Sequence, residues 1–82
     1  MSSQKLLRKA LDNPQGLRFA EALKLAKAFG FRLDRVSGSH HLLKRTGIPE
    51  LVNLQNVRGM AKAYQVRQLL KLVELHDLAL EN

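Results

Sequence analysis

The sequence contains no cysteine, so it can form neither a disulfide bond nor a thiolate metal site. No apolar run in it approaches the roughly 18 residues that a membrane-spanning helix requires. Its first residues, MSSQKLLRKAL, lack the continuous apolar segment of a secretory signal. These absences argue against a disulfide-stapled secreted protein and against a membrane protein, and we expect a cytoplasmic protein that makes no membrane contact.

Acidic side chains are scarce as well. The 82 residues include 14 Lys and Arg but only 7 Asp and Glu, which gives a net charge of +7. The imbalance is concentrated between residues 35 and 71, where Glu50 is the only acidic side chain. The basic side chains of this stretch are Arg35, Lys44, Arg45, Arg58, Lys62, Arg67 and Lys71. Such a surplus is typical of a surface that binds a polyanion such as nucleic acid, although a surface tuned only for solvation has the same composition.

The length suits a single domain over residues 1–82, and the spacing of the apolar residues predicts its elements. In chain order these are helices 3–12 and 19–29, strands 31–36, 40–45 and 50–56, a loop 57–63 and a helix 64–75. Short turns between the strands predict a three-stranded antiparallel sheet. We therefore expect an α+β fold in which amphipathic helices cover one face of the sheet and the other face stays open. The expected core comprises Phe19, Leu23, Phe29, Leu33, Leu54, Val66, Leu69, Leu70 and Val73.

Two histidines, His40 and His41, follow a glycine turn, Ser37-Gly38-Ser39, at the start of the second predicted strand. Adjacent side chains on a strand point to opposite faces, so this pair cannot readily hold one metal ion, and we expect no metal and no other cofactor. Two explanations stay open from the residues alone. Either the histidines are ordinary polar residues of a hairpin, or one of them transfers protons near neutral pH.

Proton transfer by a histidine is sufficient chemistry for cleaving RNA on a basic surface. RNA carries its own nucleophile, the 2′-OH next to each phosphate, and a base that removes its proton starts an internal attack on phosphorus. Nearby cations can stabilise the charge that develops on the phosphate oxygens. The candidates for this role are Arg35, Lys44, Arg45 and Arg58. Tyr64, the only tyrosine, either stacks on a base or covers the core.

Residues 30–41, which read GFRLDRVSGSHH, and the later segment YQVRQLL resemble the HicA (YcfA-like) toxin family. The resemblance covers residues 17–76, so residues 1–16 are expected to form an N-terminal extension. It implies a fold similar to the double-stranded-RNA-binding domain. It also implies cleavage of mRNA that arrests translation, and a HicB-type antitoxin partner that binds and blocks the toxin.

In the HicA family a histidine of the G-S-H segment is catalytic, which implies His40 here, with His41 as the neighbour that could take the role. The implied activity is that of a metal-independent endoribonuclease. The RNA-binding residues expected around it are Arg35, Gly38, Ser39, Lys44, Arg45, Arg58 and Lys62. Where many family members carry a V-P-x-H run, this sequence reads LQNVR over residues 54–58. The alternative is therefore a non-catalytic RNA- or DNA-binding module of the same fold.

Overall fold

The computed structural model describes residues 1–81, and within them a layer of helices covers one face of an antiparallel sheet. The helices are α1 (Ser3–Asp12), α2 (Phe19–Ala28) and α3 (Ala63–Leu75), and a short 3-10 helix, Pro14–Gly16, separates the first two. The strands are β1 (Arg32–Ser37), β2 (His40–Arg45), β3 (Ile48–Val57) and β4 (Met60–Ala61), which adjoin in that order. No helix in this part of the chain is long and apolar enough to cross a membrane.

The chain order from α2 through the sheet to α3 confirms the predicted α+β class and its similarity to the double-stranded-RNA-binding domain. Both α2 and α3 pack against β3 and bury their apolar stripes in one common core. We call the side of the sheet under these helices the covered face. No helix of residues 1–81 packs on the opposite side, which we call the open face.

A fourth strand, β4, forms in the segment that was expected to be a loop, so that part of the prediction is wrong. Val57 and Met60 pair across a tight hairpin turn. In the turn, Arg58 and Gly59 have positive φ angles of 53° and 85°, which a two-residue hairpin turn of type I′ requires. Asn56 Oδ1 accepts a hydrogen bond of 2.8 Å from the backbone N–H of Gly59 and so holds the turn closed.

The core lies between the helices and the covered face. Its largest apolar side chains come from all three helices, the segments that flank α2, and the two central strands: Leu6, Leu17, Leu25, Phe29, Phe31, Leu43, Leu54, Val66 and Leu69. The prediction that Leu33 is buried is wrong, because 45% of it is exposed. Leu33 lies on the edge strand β1, where the pairing skips Asp34 in a bulge. The third strand also begins earlier than predicted, at Ile48, because Thr46 and Gly47 alone form the preceding turn.

The two ends of the chain pack on the same core. Leu6 and Ala10 of α1 are fully buried against it. After α3, Leu78 and Leu80 pack against the core from the other end of the chain, and the backbone N–H of Glu81 donates a 2.8 Å hydrogen bond to a carbonyl of α2. Both ends therefore brace α2, the helix whose first residue, Phe19, contacts His41.

Glu21 in the first turn of α2 connects α1 to α2. One of its carboxylate oxygens lies 2.9 Å from the backbone nitrogen of Arg18 and 2.9 Å from Nζ of Lys9 in α1. The bond from the Arg18 backbone, and after it the bond from Lys9, lower the pKa of Glu21 below its usual value of 4.5. Because the folded-state pKa is lowered, the stability that these bonds contribute is present above the unfolded-state pKa. It is lost as the pH falls through the folded-state pKa.

Glu21→Gln is expected to lower the free energy of unfolding by about 0.5–1.5 kcal/mol at pH 7, because the charge-assisted bonds weaken. The difference in the free energy of unfolding between variant and wild type should disappear in acid, where wild-type Glu21 is itself protonated. Urea unfolding at neutral and acidic pH measures both values. Glu74→Gln is the control, since the Glu74 side chain is in no ion pair among residues 1–81. A Glu21→Gln deficit that stays constant with pH would contradict this assignment.

Candidate nucleic-acid interface

The two histidines of β2 point to opposite faces of the sheet. The ring of His41 lies on the covered face, where its centroid is 4.6 Å from that of Phe19 in α2. Leu43, two residues further along β2, is fully buried on the same face. His41 therefore packs against the helices, and the side chain of His40 lies on the open face.

A side chain of the neighbouring strand holds His40 in place on the open face. Nδ1 of His40 lies 3.2 Å from Oδ1 of Asn53 in β3. Val52 and Leu54, on either side of Asn53, are both buried, so strand alternation directs Asn53 away from the core. An amide oxygen only accepts hydrogen bonds, so a bond to it uses the tautomer in which Nδ1 donates. In the neutral ring this leaves the lone pair of Nε2 free to accept a proton.

The strand register brings Arg35 of β1 to the same face as His40. Ser37 lies opposite His40 and Arg35 lies opposite Leu42, and residues two apart on a strand share a face. The side chain of Arg35 is exposed and is in no ion pair among the described residues. Its guanidinium is therefore free to bind a phosphate next to His40.

The turn between β1 and β2 touches the hairpin that joins β3 to β4. The backbone N–H of Asn56 donates a 3.0 Å hydrogen bond to the carbonyl of Ser39 in that turn, and Gly38 supplies the positive φ of 61° that the turn needs. Arg58 lies at the tip of the β3–β4 hairpin, and Lys62 directly follows β4. Within residues 1–81 neither of these cations has a carboxylate partner. Both lie at the end of the sheet where β2 begins.

Two other predicted RNA-binding residues, Lys44 and Arg45, lie at the far end of β2. Nζ of Lys44 is 3.1 Å from a carboxylate oxygen of Asp34, and a guanidinium nitrogen of Arg45 is 3.4 Å from one of Glu81. Lys44 and Arg45 follow His40 by four and five residues, and a strand segment of that length spans about 13–17 Å. The structure therefore does not bring these two cations to His40, and a carboxylate partly compensates each of them.

Asn53 is the site residue that the sequence analysis missed. The alternation of Val52 and Leu54 already indicated that Asn53 points away from the core. What the sequence lacked was the register between β2 and β3, which brings Asn53 within hydrogen-bonding distance of His40. Among residues 1–81, no three His, Asp or Glu side chains form a group that could hold a metal ion.

Comparison with known protein families identifies the same region. The family model described as the HicA toxin of bacterial toxin–antitoxin systems matches residues 19–75, from the start of α2 to the end of α3. The matched segment contains the whole sheet, including His40 and Asn53, and leaves α1 outside. A search of curated proteins finds no match. Because the family model covers more than half of the chain, the chain belongs to the HicA toxin family of bacterial toxin–antitoxin systems.

Proposed function

We propose that this toxin is a metal-independent endoribonuclease that cleaves mRNA in the cytoplasm, with His40 as its general base. The observation that carries the proposal is the pairing of His40 with Asn53 on the open face, since it presents a proton acceptor outward. An oriented histidine beside uncompensated cations is what cleavage through the 2′-OH requires. Arg35 supplies such a cation on the same face.

The reaction proceeds by internal transfer. Nε2 of His40 takes the proton of a ribose 2′-OH, and the oxygen forms a bond to the adjacent phosphorus. The bond from phosphorus to the 5′ oxygen of the next nucleotide breaks, and that oxygen leaves with a proton taken from solvent. The products are a 2′,3′-cyclic phosphate and a 5′-OH end. Asn53 acts as a positioning residue, because its oxygen fixes the proton on Nδ1 and keeps Nε2 in the accepting state.

The RNA backbone is held by the cations at the His40 end of the open face. Arg35 binds a phosphate beside His40, while Arg58 and Lys62 bind phosphates beyond the β1–β2 turn. Gly38 and Ser39 form that turn and border the path of the backbone. Lys44 and Arg45 have smaller roles, because their charges are partly compensated and distant from His40.

The antitoxin that the family implies is, in this proposal, a HicB-type protein that covers the open face. An inhibitor of a basic surface gains association rate from acidic side chains, and an interface of standard size buries roughly 1,200–2,000 Å² in total. Such an interface is large enough to occlude both His40 and the cations around it.

Incubation of the purified toxin with a labelled single-stranded RNA in excess EDTA tests the proposal. We expect cleavage of the RNA and none of the same sequence carrying 2′-O-methyl groups, because that strand has no free 2′-OH. Binding of both strands is measured in parallel by fluorescence anisotropy. Tight binding of the RNA without cleavage would favour the non-catalytic module instead. Cleavage that EDTA abolishes would contradict the metal-independent chemistry.

A further inference from the structure

Tyr64 is a large aromatic side chain on the surface that the proposed chemistry does not use. It lies in the first turn of α3, and 48% of it is exposed. Nζ of Lys62 lies 5.9 Å from the centroid of its ring. The ring therefore does not cover the core, which was one of the two roles open to it from the sequence.

The Tyr64 ring is anchored to the strand that lies beside His40. The Tyr64 hydroxyl accepts a hydrogen bond of 3.3 Å from Nε2 of Gln65, whose side chain is buried. Oε1 of Gln65 in turn accepts a bond of 2.7 Å from the backbone N–H of Gln55. Gln55 is the residue of β3 that pairs directly with His40. The backbone N–H of the next residue, Asn56, points towards β2, so that of Gln55 points to the opposite edge of β3, and the ring is tied to this edge.

The β3–β4 hairpin, which precedes Tyr64 in the chain, carries exposed apolar side chains. Val57 and Met60 pair with each other, and both are exposed. Val57 lies two residues beyond Gln55 on β3, so it shares the open face with His40. An exposed aromatic ring, a small apolar surface and nearby cations are the features that bind unpaired nucleotides, because every base has an apolar face and a phosphate beside it.

We propose that the Tyr64 ring binds one unpaired nucleobase by stacking and that Lys62 and Arg58 bind the phosphates next to it. The inference rests on the proposed function and specifies its substrate as single-stranded RNA. In a duplex both faces of every interior base are covered by neighbouring base pairs, so the ring cannot stack on a base within a duplex. A toxin with the fold of a double-stranded-RNA-binding domain thus selects unpaired RNA through a residue at the start of its last helix.

The intrinsic fluorescence of the protein tests this directly, because Tyr64 is the only tyrosine and the chain has no tryptophan. The probe is a short single-stranded DNA oligonucleotide, which lacks the 2′-OH and cannot be cleaved by internal transfer. We expect it to quench the tyrosine emission as it binds. A duplex of the same base composition and a chain of abasic phosphates are the controls, and both should leave the emission unchanged.

Substitution gives a second readout of the same contact. Tyr64→Ala should weaken binding of the oligonucleotide about fivefold or more. Tyr64→Phe keeps the ring and loses only the hydrogen bond to Gln65, so it should bind more tightly than Tyr64→Ala and within about twofold of the wild type. Leu75→Ala is the matched control, since Leu75 is more exposed than Tyr64 and lies at the opposite end of α3. Anisotropy of a labelled oligonucleotide measures the affinities, and circular dichroism confirms that each variant is folded.

Saturating binding without quenching would overturn the proposal, and so would wild-type affinity in Tyr64→Ala or equal affinity for the duplex. No binding of the oligonucleotide at any concentration would overturn it as well. Failure of the proposed function looks different: the oligonucleotide binds and quenches the emission, yet RNA of the same sequence is not cleaved. The substrate assignment and the catalytic assignment are therefore tested separately.

Discussion

His40→Ala is expected to lower the rate of RNA cleavage by at least about 100-fold, the loss typical of a general acid–base residue. The fold should be unaffected, because the side chain lies on the open face and, within residues 1–81, its one hydrogen-bonded side-chain partner is Asn53. Affinity for uncleavable RNA should change little, since the cations that bind phosphate stay in place. Single-turnover cleavage with excess enzyme separates these two effects, because it reports the chemical step apart from binding.

His76→Ala is the control for the removal of one histidine. His76 directly follows α3 as its C-terminal cap, and its Nε2 lies 3.0 Å from a carboxylate oxygen of Glu50. An exposed pair of this kind contributes little to stability, so the variant should fold and cleave RNA at the wild-type rate. If folded His40→Ala cleaves RNA at the wild-type rate in the presence of EDTA, the assignment of His40 as the general base is wrong. Loss of activity only in His41→Ala would identify His41, on the covered face, as the general base.

The second large effect is expected from Leu43→Ala, which should lower the free energy of unfolding by about 2–5 kcal/mol. Leu43 is fully buried between β2 and the helices, so its truncation leaves a cavity that the core cannot easily close. For a domain of this size such a loss is a large fraction of the total stability. Urea unfolding measures it through the midpoint of the transition.

Leu42→Ala is the matched control, because it removes the same atoms from the adjacent residue on the open face. Leu42 is only partly buried, and its truncation should cost about 1 kcal/mol. The comparison tests the alternation that directs His41 inward and His40 outward. Equal losses for the two variants, or a larger loss for Leu42→Ala, would mean that the faces of β2 are assigned the wrong way round.

The sequence predicts the elements of this fold well where a long periodic pattern exists. The apolar spacing of α2 and α3 and the alternation of Val52 and Leu54 are local signals, and they were sufficient for the α+β class. The errors lie at the edges of the sheet. β4 is two residues long and depends on a hairpin turn without an Asn-Gly or Asp-Gly pair. Leu33 is exposed on the edge strand β1, against which no helix of residues 1–81 packs extensively.

The site was less predictable, because its contacts join residues that are distant in sequence. That His40 and His41 point apart follows from strand alternation alone. Which face each of them occupies depends on where α2 packs, and the contact between Phe19 and His41 places His41 on the covered face. Arg45 contacts Glu81, 36 residues later, which no local pattern indicates. The bond from His40 to Asn53 likewise needs the β2–β3 register.

The ends of the cleaved RNA test the central claim most directly. Mass spectrometry of the fragments formed in excess EDTA identifies the groups on both sides of the broken bond. Attack by the 2′-OH, started by His40, predicts a 2′,3′-cyclic phosphate (or the monophosphate that forms when it hydrolyses) on one fragment and a 5′-OH on the other. Fragments that carry a 3′-OH and a 5′-phosphate would show that water attacked the phosphorus, and would contradict the account.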